Sequence, residues 1–289
     1  MTSMRGPRWA LGRVSRTSRQ LIVAVALATA LFVPPAVAQR AATKEVEPGV
    51  KIGKPSYVRK LVSAEQVEQM GSTQYAELLQ KANYQGALLP QNDAHVQRIR
   101  KIAEKLLPFA NKFNERARDW KWEVNVFRAP TINAFCMPGG KIAFFTGIID
   151  SLKLTDDEVA MVMGHEIAHA LREHSRERLA KSQLTNLGIA AISILLGQTA
   201  GALAQAGGGL YSLKFSRNDE TEADLVGMEL AARAGYNPQS GIVLWQKMSA
   251  ASQGAPPQWM STHPSNATRI DTIKKHLPEV MPLYEAARK

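Results

Sequence analysis

The chain has 289 residues, of which 21% are charged and 45% hydrophobic, with a formal net charge of +11 and a single cysteine. One cysteine excludes an intramolecular disulfide, and no basic cluster interleaved with aromatics points to nucleic acid as a partner. No internal repeat is visible, so no appended helical-repeat module is expected.

Residues 1–38 read as a secretory signal peptide. Arg5, Arg8, Arg13, Arg16 and Arg19 precede the apolar run Leu21 to Val33, and a small-residue stretch ends at Ala38. At 13 residues the run is shorter than the roughly 20 needed to span a bilayer as a helix. Cleavage near Ala38 leaves 251 residues, and loss of the five arginines lowers the charge from +11 to +6. A surplus of that size mostly reports a solvated surface and can assist weak peripheral attraction to an anionic membrane.

Residues 39–62 mix charge with Pro and Gly and are expected to form an extended arm, followed by one folded domain over 63–289. "SAEQ" from Ser63 reads as a capping box, with a helical pattern running toward Gly71. A second helix is expected from near Asp93, with Val96, Ile99, Ile102, Leu106 and Leu107 on one stripe. "KWEVNVF" places Trp122, Val124 and Val126 on one side of a strand. "TINAF" and "KIAFFT" flank "MPGGK", where Pro138 and Gly139 suit the centre of a tight turn. A small antiparallel hairpin and sheet are therefore expected, with Cys136 buried and inert within it.

Thr155 and Glu158 form another capping box, and the helix they open is expected to continue to about Lys181. The apolar segment Leu187 to Leu203, closed by Gly207 to Gly209, contains Ser, Gln, Thr and Gly. It reads as a buried or groove-covering helix and not as a membrane span. "DETEADLVGMELAARAG" is a helix ending at Gly235, and Asn237 with Pro238 starts the next. "GAPPQWMSTHPSN" reads as a loop and "ATRIDTIKKHL" as a short amphipathic helix. The fold class is α+β, mostly helical with a small antiparallel sheet.

The chemistry lies in "GHEIAHALREH", Gly164 to His174. Residues four apart on a helix are rotated by about 400°, about 40° from coincidence. His165 and His169 therefore share a face and can bind one Zn²⁺, with Glu166 beside the position where a water would sit. His174 lies nine residues after His165, a rotation of about 900°, and is expected on the opposite, solvent face with Glu173. The pentapeptide needs a third ligand, and "NDETEADLVG" offers the best spacing. Glu220 and Asp224 share a face, while Glu222 is rotated about 200° away. Glu220 suits the third ligand, and Asp224 an acceptor for the other ring N–H of a ligating histidine.

"HEIAH", "SRNDETEAD", "NAFCMPGGKIAFFTGI" and "STHPSNATRI" occur together and in an order that resembles a zinc metalloendopeptidase family. That family includes HtpX, the mitochondrial Oma protease, the CAAX prenyl protease and the periplasmic proteases BepA and LoiP. The resemblance spans roughly Ala129 to Ile273. It implies a zincin-like domain with His165, His169 and Glu220 as ligands of one zinc and Glu166 as catalytic acid/base. It also implies that His263 and Arg269 lie near the metal as transition-state stabilisers, or, for His263, as a ligand of the resting enzyme. With the signal peptide, it implies a periplasmic location.

The expected function is that of an exported endopeptidase acting on misfolded or unassembled envelope proteins, bound as an extended strand along the hairpin Ala134 to Phe145. The alternative is a chaperone-like binding module with a largely autoinhibited metal site, its cleft covered by Leu187 to Gly209. An aminopeptidase would need an acidic anchor for a free amine, and none is identified. The intact Glu166 argues against a degenerate site.

Overall fold

The computed structural model describes residues 48–195, 210, 213–252, 256–264 and 268–289. The expected signal peptide lies outside them, as do residues 39–47 of the arm and 196–203 of the apolar segment. The elements are α1 (Ala64–Tyr84), α2 (Ala94–Leu106), β1 (Glu123–Phe127), β2 (Ala134–Met137), β3 (Lys141–Phe145), α3 (Thr146–Ser151), α4 (Asp156–Leu171), α5 (His174–Leu195), α6 (Arg217–Arg233), α7 (Ser240–Ala251), α8 (Gln258–Thr262) and α9 (Thr268–Ala287).

The three strands lie in the order β1-β3-β2. β2 and β3 form the expected hairpin, antiparallel with Ala134 opposite Phe144. The Gly140 amide donates to Met137 O at 3.2 Å, which puts Pro138 and Gly139 at the turn's centre. Gly139 has φ +84°, a value that favours glycine. The wholly antiparallel sheet expected from the sequence is corrected, because β1 runs parallel to β3, with Val124 beside Ile142. Apolar alternation reports which face of a strand is buried, and it carries no information on which strand lies next to it or in which direction.

α1 continues well past Gly71, because that glycine sits against the hairpin turn. A Cβ there would stand 2.5 Å from Pro138 O. Tyr75, Phe127, Phe135 and Met137 pack together on this face of the sheet. The opposite face contributes Val124, Val126, Ile142 and Phe144 to the main core, together with Val159, Met163 and Ile167 of α4.

α4 begins with a reciprocal capping box, Glu158 N to Thr155 Oγ1 at 3.3 Å and Thr155 N to Glu158 Oε2 at 2.7 Å. Every residue from Glu158 to Leu171 is buried, as suits a helix that is apolar nearly all round. α6 packs on it at a glycine contact, where a Cβ on Gly164 would lie 2.6 Å from Gly227 O. α4 ends at Leu171 and does not run on to Lys181. Glu173 adopts φ +58°, the left-handed region that costs a non-glycine residue roughly 1–2 kcal/mol, and the chain turns before α5 starts at His174. Arg59 and Arg176, each 2.7 Å from a Glu173 oxygen, hold that turn.

The stretch read as a loop contains α8, and α9 extends to Ala287 through Pro278 and Pro282. Among the described residues, no helix is long and apolar enough to cross a membrane.

Candidate metal centre

α4 supplies His165, Glu166 and His169, α6 supplies Glu220 and Asp224, the end of α8 supplies His263, and the first turn of α9 supplies Arg269. The two capping boxes, Thr155 on α4 and Ser216 with Asp219 on α6, start these helices in register, and the Gly164–Gly227 contact brings them close. All seven side chains are buried.

Ligand atoms of His165, His169, Glu220 and His263 all lie within 4.8 Å of one another. His165 Nε2 is 3.1 Å from His169 Nε2 and 3.2 Å from His263 Nδ1, which is 3.1 Å from Glu220 Oε1. His165 Nε2 and His169 Nε2 each lie 3.5 Å from a Glu220 oxygen. A tetrahedral ion with bonds of about 2.0–2.1 Å separates its ligand atoms by about 3.3 Å, so the four groups fit the vertices around one small divalent cation. Three imidazole nitrogens and one carboxylate oxygen are also the donor chemistry such an ion takes.

The surrounding groups set the ligands' states. Burial, then the neighbouring His165, His174, His263 and Arg269, pushes His169 well below the ordinary histidine range, so its ring is neutral with a lone pair to give. Burial opposes the charged form of His263, yet the carboxylates of Glu166 and Glu220 outweigh it and hold this ring above its usual value. Burial also opposes the ionisation of Glu220 and Asp224. His263, His165 and Arg269 reverse that for Glu220, and Arg269 with His165 holds Asp224 at about 2. Cys136 goes the other way, as burial and the charge of Glu166 raise its thiol well above its ordinary value and keep it unreactive.

The His165 Nδ1–H donates to Asp224 Oδ1 at 3.0 Å, which leaves the lone pair of this ring on Nε2. Arg269 donates to Glu220 Oε2 at 2.5 Å and through Nε to Asp224 Oδ2 at 2.6 Å, while its guanidinium lies 3.7 Å from the centre of the Trp245 ring. The sequence expectation set Arg269 near the metal, and its donors here serve the two carboxylates.

Trp259 went unnoticed in the sequence. Its indole N–H donates to Glu166 Oε1 at 2.5 Å, and its ring stacks on His263 at 4.9 Å. The only sequence signal was its position four residues before His263, one helical turn away. Phe215, stacked on the His169 ring at 3.9 Å, was also missed.

His174 is corrected outright. It is 2% exposed, and its Nδ1 lies 2.9 Å from His169 Nδ1. The 900° rotation that put it on the surface assumed one continuous helix, which the turn at Glu173 interrupts.

The chain matches peptidase family M48 over residues 93–277, more than half its length. It belongs to that family. It is 34% identical to the mitochondrial metalloendopeptidase OMA1 of Schizosaccharomyces pombe over 75% of this chain and 63% of that protein. It is 28% identical to the metalloprotease LoiP of Escherichia coli over 68% of this chain and 77% of LoiP. It is 30% identical to the beta-barrel assembly-enhancing protease of Yersinia pestis over 52% of this chain and 33% of that protein. The matched region thus spans less than two thirds of the length of the OMA1 and the β-barrel assembly relatives. M48 membership implies a divalent metal, and the buried His/Glu cluster is where one fits.

Proposed function

We infer that this protein is an exported zinc metalloendopeptidase that hydrolyses peptide bonds in misfolded or unassembled cell-envelope proteins. The observation that carries the reading is the tetrahedral spacing of His165, His169 and Glu220 with Glu166 held beside them by Trp259. His165, His169 and Glu220 would hold zinc, and the ion when bound supplies the Lewis acidity that makes water a nucleophile at neutral pH.

Glu166 does the proton work. Its Oε1 is tied to the Trp259 indole, which orients the carboxylate to take a proton from the attacking water and return it to the leaving amine nitrogen. Arg269 and Asp224 keep Glu220 and His165 in ligating position. β2 lies at a sheet edge and packs against α4, so an extended substrate added along it would run past the centre. The Ala134 amide donates to Asn133 Oδ1 at 3.0 Å, a local contact that an incoming strand can replace.

Export rests on the arginine-rich, apolar N-terminus with its small-residue ending, and the periplasm on that feature together with a relative named for β-barrel assembly. The OMA1 relatives are named as mitochondrial, so the compartment is a separate question from the chemistry. Localising a tagged full-length chain and sequencing its N-terminus checks both export and the cut near Ala38.

The chemistry is tested by measuring bound zinc and casein cleavage for wild type and Glu166→Gln. One zinc per chain and cleavage lost only in the variant support the reading, and full activity in the variant sinks it. One observation favours the second reading, a binding module with a self-inhibited site: His263 Nδ1 occupies the fourth vertex. Faster cleavage by His263→Ala than by wild type makes that ring a brake. Slower cleavage with zinc retained makes it a transition-state donor. Zinc held but no cleavage by either protein favours the binding module.

A further inference from the structure

His165 and His169 share a helix face, yet their Nδ1 atoms meet different chemistry. His165 reaches a carboxylate directly, whereas His169 meets another imidazole. His174 lies between His169 Nδ1, at 2.9 Å, and Glu222 Oε2, 2.9 Å from its Nε2. Glu222 Oε1 in turn accepts from Arg172 Nη2 at 2.7 Å, and Arg172 also donates to the carbonyl of Gly53 at 2.6 Å. His169 and His174 are each 2% exposed and Arg172 is 6% exposed.

We propose that Glu222 and His174 are positioning residues that fix the tautomer of the ligand His169. The logic follows the protons. An ionised carboxylate can only accept, so the proton at the Glu222 contact sits on His174 Nε2. Metal binding through His169 Nε2, which faces Glu220 and His165, requires the ring proton of His169 on Nδ1. His174 Nδ1 stands there at 2.9 Å to accept it, while Glu222 holds the other nitrogen of His174. Glu222 accepts from both sides, from His174 at one oxygen and from Arg172 at the other.

The backbone is built for this contact. The left-handed Glu173 turns the chain so that His174 folds back onto His169, and the 200° rotation of Glu222 away from Glu220 aims it at His174. Arg172, in the same turn, clamps Glu222 from the other side.

The proposal rests on the metal-site reading above, and the experiment separates the two. Zinc affinity of the full-length protein is measured by competition with a chromophoric chelator for wild type, Glu222→Ala, His174→Phe and His174→Asn. Asparagine places an oxygen acceptor where His174 Nδ1 stands, and phenylalanine fills the space without one. The expected result is a loss of roughly 10- to 100-fold in zinc affinity for Glu222→Ala and His174→Phe, with His174→Asn restoring most of it. The visible spectrum of the cobalt-loaded protein should shift in the first two and return in the third. Equal affinity and spectra in all four proteins overturn the proposal and leave the metal site standing. Equal weakening by phenylalanine and asparagine, with parallel loss of thermal stability in the metal-free protein, overturns it in favour of simple packing. Wild type that binds no zinc overturns the metal site and this proposal together.

Discussion

Gly164 and Gly227 meet backbone to backbone. A Cβ on Gly227 would stand 2.6 Å from the amide nitrogen of His165, and one on Gly164 would stand 2.6 Å from Gly227 O. Neither clash is with the end of a flexible side chain, so the two helices would have to separate. Gly227→Ala should therefore cost about 1–3 kcal/mol in overpacking and move Glu220 and Asp224 away from His165 and His169. Denaturant unfolding and a zinc titration check this. A variant that unfolds and loads zinc like wild type would show that the close crossing is dispensable.

Trp259 and Glu166 make a second testable pair. Trp259→Phe removes the N–H on Glu166 Oε1 and keeps most of the ring stacked on His263. With the carboxylate less firmly aimed, kcat should fall roughly 10- to 100-fold, in line with roughly 1.5–3 kcal/mol for one hydrogen bond to a charged group. Zinc content and KM should change little. A lowered zinc content with unchanged turnover per bound zinc would assign Trp259 to metal retention.

Arg269 answers the charge of two buried carboxylates, Glu220 and Asp224. Arg269→Met leaves both without it and should destabilise the metal-free protein by about 3–5 kcal/mol. Zinc loading should narrow the gap, because a divalent cation replaces part of the missing charge. Arg269→Lys should fall between, since one ammonium cannot reproduce the fork to both carboxylates. Thermal melts with and without zinc measure all three, and equal losses in both states would show that packing against Trp245 dominates.

Acid stability follows from Asp224. Its carboxyl sits at about 2 in the folded protein, against an ordinary value of 3.8. A depressed folded value stabilises fully above the unfolded value and is lost as pH falls through the folded one, so the window runs from about pH 4 to about pH 2. The contribution above that window is about 2 kcal/mol. Asp224→Asn in metal-free protein should be less stable than wild type near neutral pH, and the difference should shrink toward pH 2. Parallel stability curves for the two proteins across that range would count against it.

Much of the centre was legible in the sequence because it is local. About 100° of rotation per residue is enough to put His165 with His169 and Glu220 with Asp224, and to turn Glu222 away. The caps at Ser63 and Thr155 lie beside the helices they open. The turn at Pro138 and Gly139 was legible for the same reason, since its dihedrals depend on the residues in it.

Tertiary structure decided the rest. The direction of β1 depends on β3 lying between it and β2, and no alternation within β1 encodes that. Trp259 reaches Glu166 across 93 residues, and Arg269 reaches Glu220 across 49. His174 shows the boundary most clearly. Its helical angle is correct arithmetic for a helix that does not exist, because Arg59 and Arg176 hold Glu173 in a backbone conformation its own residue type disfavours. Within one element the backbone repeat determines which side chains share a face. Between elements, close packing and the pairing of buried charge determine which faces meet.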